Sequence, residues 1–154
     1  MNTQVQIRPL EGLVSDADHE QLCRLVVEHV WRNDSGHADT LHELYTEEAE
    51  LDLGFTPLRG REAIREWGRQ LVESPPWKSI RHVCTNMRFV ADGPDAAEGV
   101  TLLTVFMDAD GTQSSVPWNI GEDHDRFVRT EEGWRIASRR YVNLFTRGDS
   151  IDIP

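Results

Sequence analysis

The fold is decided by a strand-forming stretch in the second half of the chain, residues 113–130, which reads QSSVPWNIGEDHDRFVRT. A strand of roughly 18 residues is far longer than the usual ~5–6, so we expect the sheet that contains it to be strongly bent. Gly121 lies in the middle of the stretch and Pro117 just before it, and both residues are typical of a bend or bulge. A bent sheet that helices close on one side encloses a cavity, so the stretch also predicts a binding pocket.

Further strands flank this stretch on both sides. Short turn sequences that contain glycine separate three more strand-like segments, over residues 79–91, 97–108 and 134–145. A shorter strand is predicted earlier in the chain, over residues 49–53. The second half of the chain is therefore expected to be a run of antiparallel strands.

The first half of the chain predicts three helices. The first begins near residue 15, the second covers residues 38–45, and the third ends before Pro75-Pro76. Helices followed by antiparallel strands are typical of an α+β fold. We expect three N-terminal helices packed on a strongly curved, mostly antiparallel sheet that encloses a pocket.

The length of 154 residues fits one domain. We expect a single domain over residues 1–154, with its core at about residues 16–147 after a loose lead-in of residues 1–14. The two cysteines, Cys23 and Cys84, lie far apart and are typical of buried thiols in a reducing compartment.

The charge balance is strongly acidic, with 27 acidic residues against 16 basic ones and a formal net charge of −11. Because proteins that bind nucleic acids present clustered Lys and Arg, we expect no nucleic-acid partner. No apolar run approaches the ~20 residues that a membrane span requires, and the first residues lack the apolar core of a signal peptide. We therefore expect a cytoplasmic protein without a membrane partner.

No cofactor motif occurs in the sequence, which lacks a phosphate-binding glycine loop, a nucleophile elbow and a dinucleotide fingerprint. Residues 122–125 read Glu-Asp-His-Asp, but consecutive strand residues alternate between faces and cannot converge on one metal ion. We therefore expect neither a cofactor nor a metal. His29 is expected on the surface or on the face of the first helix.

His82 is predicted to lie in the pocket, because side chains alternate between the two faces of the strand over residues 79–91. Even-numbered residues of this strand share one face, so His82 and Asn86 point to the same side. The opposite side, with Val83, Met87 and Phe89, is expected to form an exposed apolar face. A core histidine bonded only to a backbone carbonyl is the alternative interpretation of His82.

Other pocket residues are predicted on similar grounds. The even-numbered Trp118 and Ile120 are expected to wall the pocket. His124 is either a second acid or base, or part of a solvated strand segment. Trp31 and Phe55 are further candidates for apolar walls.

Two motifs resemble a known family. Arg81-His82 followed by Asn86, and residues 133–136 (Gly-Trp-Arg-Ile) ahead of Arg139-Arg140, are similar to the SnoaL-like branch of the nuclear transport factor 2-like superfamily. Scytalone dehydratases and hexachlorocyclohexane dehydrochlorinases belong to this branch. The resemblance covers most of the chain and implies the α+β cone of that superfamily.

The resemblance also implies roles for individual residues. In the dehydratase- and dehydrochlorinase-like members a histidine is the catalytic base and pairs with an aspartate near the end of the first helix, and the matching residues here are His82 and Asp34. Asn86 would then be a pocket-side hydrogen-bond donor, and Arg129 falls at or near an arginine of the dehydrochlorinase site. Neither tyrosine of the chain clearly aligns with the tyrosines of the dehydratases. A turn residue is the alternative interpretation of Asp34.

These features favour a cofactor-independent acid–base lyase or isomerase, of dehydratase, dehydrohalogenase or cyclase type, that acts on a small, largely apolar molecule. Two alternatives remain. One is the non-catalytic β subunit of an aromatic-ring-hydroxylating dioxygenase, and the other is a small-ligand-binding domain. Because a second subunit would cover the expected apolar face of the sheet, we also expect a homodimer.

Overall fold

In the computed structural model, which describes residues 11–146, two α-helices, a 3₁₀ helix and six strands follow one another along the chain. Their bounds are α1 Asp16–Asp34, the 3₁₀ helix Ala38–Leu44, β1 Tyr45–Asp52, β2 Leu58–Arg59, α2 Arg61–Glu73, β3 Ser79–Ala91, β4 Ala96–Asp108, β5 Asn119–Thr130 and β6 Gly133–Thr146. No helix in this part of the chain is long and apolar enough to cross a membrane.

The six strands form one curled, unclosed sheet in the order β2-β1-β6-β5-β4-β3. β1 pairs with β6 in parallel, and every other neighbouring pair is antiparallel. The three helices pack on one side of this sheet. The predicted α+β architecture, with three helices on a curved and mostly antiparallel sheet, is therefore confirmed.

Helix α1 is anchored to the sheet at both ends. Near its start the Asp18 carboxylate accepts hydrogen bonds from the Trp134 indole at 3.0 Å and from the Arg129 guanidinium at 2.8 Å. The hydrogen bond from Trp134 is the main reason why the pKa of Asp18 lies below its ordinary value, and the bond from Arg129 lowers the pKa further. At the other end Arg81 donates to the backbone carbonyl of Asp34 at 3.0 Å. The last residue of the helix is thereby fixed against the sheet.

The hydrophobic core lies between the helices and the inner face of the sheet. Its completely buried side chains include Leu22, Val26, Leu41, Tyr45, Ala49, Leu51, Ile64 and Ile136. Gly68 lets α2 pack closely on the 3₁₀ helix, because a Cβ atom at this position would lie 2.0 Å from the carbonyl oxygen of Ala38. The core therefore sets how far the helices can approach each other.

Two strands differ in length from the prediction. β5 begins at Asn119 and not at residue 113, because Pro117 has no N–H to donate to a strand ladder. The irregularity predicted at Gly121 is present as a register shift in the pairing of β5 with β6. β1 is longer than predicted, since it starts at Tyr45, directly after the 3₁₀ helix.

Residues 12–14 are not the loose lead-in that the sequence predicted. Leu13 forms a β-bridge with Val90, and main-chain hydrogen bonds on both sides of it extend the pairing. This segment therefore covers one end of β3, which is an edge strand of the sheet. Residues 1–10, and residue 147 at the expected end of the core, lie outside the described residues.

Candidate active site

A pocket lies between the helices and the inner face of the sheet. Its volume is about 150 Å³, close to that of an engineered protein cavity that binds benzene. Much of its wall is apolar. The polar residues that line it are His29, Asn33, His82, Asn119, Asp123, Arg139 and Tyr141.

On the pocket wall, His82 of β3 contacts Asp34, the last residue of α1. Asp34 Oδ1 lies 2.6 Å from His82 Nδ1, and Asp34 Oδ2 accepts the backbone N–H of His82 at 2.7 Å. Because a carboxylate accepts hydrogen bonds, Nδ1 carries the proton of the neutral ring and Nε2 keeps its lone pair. Within residues 11–146, Nε2 has no hydrogen-bond partner. In this arrangement the imidazole can accept a proton from a bound molecule.

A buried cluster of ion pairs lies at the same pocket. Arg139 is 2% exposed, and its guanidinium donates two hydrogen bonds of 2.7 Å to Asp125 and lies 3.2 Å from Asp123. Burial raises the pKa of Asp123 to about 6; the charge of Asp125 also raises it, and the charge of Arg139 opposes the rise. With a pKa of about 6, raised chiefly by burial, Asp123 is protonated in mildly acidic solution, and a small fraction of it keeps the proton at neutral pH. No group of side chains in the described part of the chain is arranged to hold a metal ion.

Tyr141 stands directly across from Asp123 on the neighbouring strand and also lines the pocket. Gly121 makes room for the ring, because a Cβ atom there would lie 2.3 Å from the hydroxyl oxygen of Tyr141. Burial, and next the charge of Asp123, raises the pKa of Tyr141 to about 12, so the phenol keeps its proton at neutral pH. Sequence reasoning missed this residue, although a glycine inside a strand signals that another group approaches closely.

His29 lies in the pocket wall, and the prediction of a surface position is wrong. Its side chain is 7% exposed, and Nε2 lies 2.9 Å from the hydroxyl oxygen of Tyr45. Burial lowers the pKa of His29 well below its ordinary value, and the charge of Arg139 lowers it further, so the ring is neutral at pH ~7. Helical spacing was the available signal, since His29 lies three residues after the buried Val26.

The protonation of Asp123 can be tested with Asp123→Asn. The pKa of this carboxyl is about 6 in the folded chain, against ~4 in an unfolded one, so folding stabilises the protonated form. This contribution to stability is complete below pH ~4 and is lost as the pH rises through about 6. We expect the unfolding free energy of the wild type, relative to the variant, to fall by about 2 kcal/mol between pH ~4 and pH ~7. Urea titrations of the wild type and the variant over this pH range measure the change. If the difference between their unfolding free energies does not depend on pH, the raised pKa of Asp123 is contradicted.

A bulge in β3 overturns the predicted position of Asn86. The pairing of β3 with β4 shifts register between Thr85 and Arg88, and Asn86 adopts a left-handed φ of 50°. Its side chain is exposed and does not line the pocket. Beyond the bulge the alternation is inverted, so Met87 packs against the core and Phe89 is 1% exposed. These two residues therefore do not belong to an outer apolar face.

The face assigned to β5 from the sequence is also wrong. The odd-numbered residues Asn119 and Asp123 line the pocket, so Ile120 and His124 point to the outer face of the sheet. His124 bonds to a neighbouring glutamate there. Trp118, which precedes the strand, is buried in a small apolar cluster beside the pocket but does not line it.

Of the other predicted site residues, Phe55 lines the pocket and two lie elsewhere. Trp31 is 53% exposed and stacks on a neighbouring histidine. The Arg129 guanidinium lies 4.4 Å from the centroid of the Trp134 ring, outside the pocket. The arginine of the pocket is therefore Arg139, ten residues further along the chain.

Comparison with known proteins supports the same architecture. The sequence model of the SnoaL-like domain family matches residues 16–140. No curated protein matches the chain.

Several solved structures are similar to the chain. An NTF2-like protein with a cystatin-like fold from Novosphingobium aromaticivorans is 26% identical, with a TM-score of 0.69 over 87% of this chain and 85% of that one. A candidate scytalone dehydratase from the same organism is 14% identical, with a TM-score of 0.75 over 89% and 91% of the two chains. Hexachlorocyclohexane dehydrochlorinase LinA-type3 from Novosphingobium barchaimii is 16% identical, with a TM-score of 0.73 over 90% and 96%. All three similarities extend over helices and sheet together.

Proposed function

Because the chain belongs to the SnoaL-like domain family, we propose that it is a cofactor-independent acid–base enzyme. The proposed reaction is that of a lyase or isomerase, of dehydratase, dehydrohalogenase or cyclase type, on a small and largely apolar molecule. The observation that carries the proposal is the 2.6 Å contact between His82 and Asp34 on the wall of a largely apolar pocket.

In this mechanism His82 Nε2 takes a proton from a carbon atom of the substrate, and Asp34 stabilises the imidazolium that forms. The electron pair of the broken C–H bond forms the new double bond, and the leaving group departs with the electrons of its own bond. Asp123 and Tyr141 are the lining residues that can give a proton to the leaving group or to a carbonyl oxygen. Proton transfer by a positioned side chain contributes about 10²–10⁴ in rate.

The variant His82→Ala tests the proposal in assays with hydroxylated and halogenated ring compounds. We expect it to lower the turnover rate by about 10²–10⁴-fold and to leave ligand binding nearly unchanged. His124→Ala is the matched control. This histidine lies on the outer face of the sheet, so its replacement is expected to leave the turnover rate unchanged. Unchanged turnover in His82→Ala would overturn the proposal.

Two other functions use a similar fold, the non-catalytic β subunit of an aromatic-ring-hydroxylating dioxygenase and a small-ligand-binding domain. Neither requires a histidine with one ring nitrogen held by a carboxylate and the other open to a pocket, so the dyad favours an enzyme. Co-purification with an iron–sulfur partner would instead favour the subunit, and ligand binding without any turnover would favour the binding domain.

We also propose that the chain forms a homodimer through the outer face of its sheet. Strand pairing places Val83, Thr104, Ile120 and Phe145 in one row across that face, and the two end residues are 46% and 67% exposed. Apolar surface of this kind is often covered by a second subunit. Light scattering is expected to give twice the chain mass of 17.6 kDa, and Ile120→Glu is expected to give the monomer. A monomeric wild type would contradict this proposal.

A further inference from the structure

The outer face of the sheet carries an open cleft of about 510 Å³ among charged side chains. Strand pairing places Arg88 of β3, Val100 of β4, His124 of β5 and Arg140 of β6 in one row across this face. Neighbouring strands lie ~4.8 Å apart, so the main chains of Arg88 and Arg140 are roughly 14 Å apart. The two arginines therefore stand on opposite sides of the cleft.

Arg88 and Arg140 are exposed and have no hydrogen bond or ion pair within residues 11–146. Each of the other arginines in this part of the chain bonds to or pairs with a carboxylate or a carbonyl group. A shortage of acidic residues does not explain the difference, because the chain has 27 acidic residues against 16 basic ones. The cleft therefore presents two guanidinium groups whose donors are open to a ligand.

The carboxylates that line the cleft already have partners. Glu50 and Glu98 each pair with an arginine of a neighbouring strand, at 3.2 Å and 3.9 Å. Asp52 is the strand partner of Arg140, yet its carboxylate accepts a backbone N–H two residues further along the chain at 3.0 Å. Asp125 is buried in the ion-pair cluster described above. None of these four carboxylates is bonded to either of the two arginines.

The bulge in β3 turns Arg88 towards this cleft. With regular alternation Arg88 would share the inner face with His82, but the register shift between Thr85 and Arg88 inverts the strand beyond it. The shift holds Asn86 at a left-handed φ of 50°, which is uncommon for a residue other than glycine. Bulges of this kind re-aim side chains. The outward position of Arg88 is therefore built into the backbone of β3.

We propose that this cleft binds a small organic molecule with two anionic groups, carboxylate or phosphate, one held by Arg88 and the other by Arg140. A guanidinium group presents a planar fork of N–H donors that matches one carboxylate or one phosphate. Two such groups on opposite sides of one cleft therefore fit a ligand with two anionic ends. Because the cleft lies on the face of the sheet opposite the pocket, the inference does not depend on the proposed reaction.

The cleft shares the outer face with the proposed dimer contact but lies outside it. Ile120 of the apolar row and His124 of the cleft are four residues apart along β5, which separates the two rows by roughly 13 Å. A second copy of the chain that reached the cleft would bring its own carboxylates to Arg88 and Arg140. Binding experiments on the cleft therefore need a measurement of the oligomeric state beside them.

Isothermal titration calorimetry at low ionic strength, with pyrophosphate, succinate and acetate as probes, tests the proposal. We expect saturable binding of pyrophosphate or succinate at least about fivefold tighter than that of acetate, which carries a single anionic group. The tighter of the two dianionic probes identifies whether the cleft takes phosphate or carboxylate. Acetate binding as tight as that of both other probes, or no saturable binding of either, would overturn the proposal.

Two variants separate the cleft from the overall charge of the chain. Arg88→Gln and Arg140→Gln are each expected to weaken binding of the tighter probe by about fivefold or more, and the double variant is expected to lose saturable binding. Arg24→Gln is the matched control, because it removes the same charge from an exposed arginine of α1 that pairs with Glu20. A loss in Arg24→Gln as large as in the two cleft variants would mean that net charge alone causes the binding, and the proposal would fail.

Light scattering of the same proteins tests the second copy as the occupant. We expect the double variant of Arg88→Gln with Arg140→Gln to keep the oligomeric state of the wild type. If the double variant is a monomer, the wild type is a dimer and the wild type binds none of the probes, the two arginines hold a second copy and the anion proposal is wrong.

Discussion

Replacing Asp34 by asparagine is expected to lower the turnover rate by about 10³–10⁴-fold without unfolding the chain. The new carboxamide oxygen can still accept the backbone N–H of His82, as Asp34 Oδ2 does at 2.7 Å. Its NH₂ group would then face His82 Nδ1 and donate to it, which moves the ring proton to Nε2. That nitrogen is the one that must take the substrate proton, so the base is blocked. The imidazolium also loses the charge that stabilises it.

Steady-state kinetics at saturating substrate measures this effect, and the thermal midpoint checks the folding of the variant. Asp39→Asn is the matched control, because Asp39 is an exposed carboxylate in the adjacent 3₁₀ helix. The effects of substituting two residues that act as a unit do not add up. The double variant of His82→Ala with Asp34→Asn should therefore turn over substrate no more slowly than His82→Ala alone. A loss below about tenfold in Asp34→Asn would contradict the dyad.

Replacing Arg139 by methionine is expected to lower the unfolding free energy by about 3–5 kcal/mol. Methionine fills part of the volume but removes the charge that lies 2.7 Å from Asp125 and 3.2 Å from Asp123. These carboxylates are 5% and 3% exposed, so they would remain buried without a counter-charge. Each must then bind a proton or draw water into the core, and both are unfavourable at neutral pH.

Urea unfolding at neutral pH measures the loss. Arg140→Met is the control, because the neighbouring Arg140 is exposed, and it is expected to change stability by less than about 0.5 kcal/mol. Combining Arg139→Met with Asp123→Leu and Asp125→Leu removes all three buried charges and should recover most of the stability. If the triple variant stays as unstable as Arg139→Met, lost packing and not the unpaired carboxylates causes the effect.

The helices and β3 could be predicted from the sequence because their signals are local. Apolar spacing and turn residues mark both α-helices, and the strand predicted over residues 79–91 is the observed Ser79–Ala91. The start of β5 depends on whether Val116 and Trp118 can join a ladder around Pro117, and a strand pattern alone does not decide that. The bulge at Asn86 has no glycine to signal it, yet one extra residue inverts every side chain that follows.

The candidate site was less accessible to sequence reasoning. The contact between Asp34 and His82 joins residues 48 positions apart, and only the family resemblance brought them together. Asp125 and Arg139 are direct cross-strand partners, so their burial follows from the register of β5 and β6. Charged residues are almost never fully buried unless they are paired. The sequence does not show the strand register, so it does not reveal that these charges are paired and buried and not exposed on a solvated strand.

The position of β3 at the edge of the sheet gives Asp34 a second role. An edge strand exposes main-chain groups on which a strand of another molecule can assemble, which is a common route to aggregation. Residues 12–14 cover one end of this edge. Nearer the other end, the Asp34 carboxylate accepts the hydrogen bond of the His82 backbone N–H. The carboxylate that orients the proposed base therefore also protects the protein against edge-to-edge association, and side chains that cannot accept this N–H would reopen the edge.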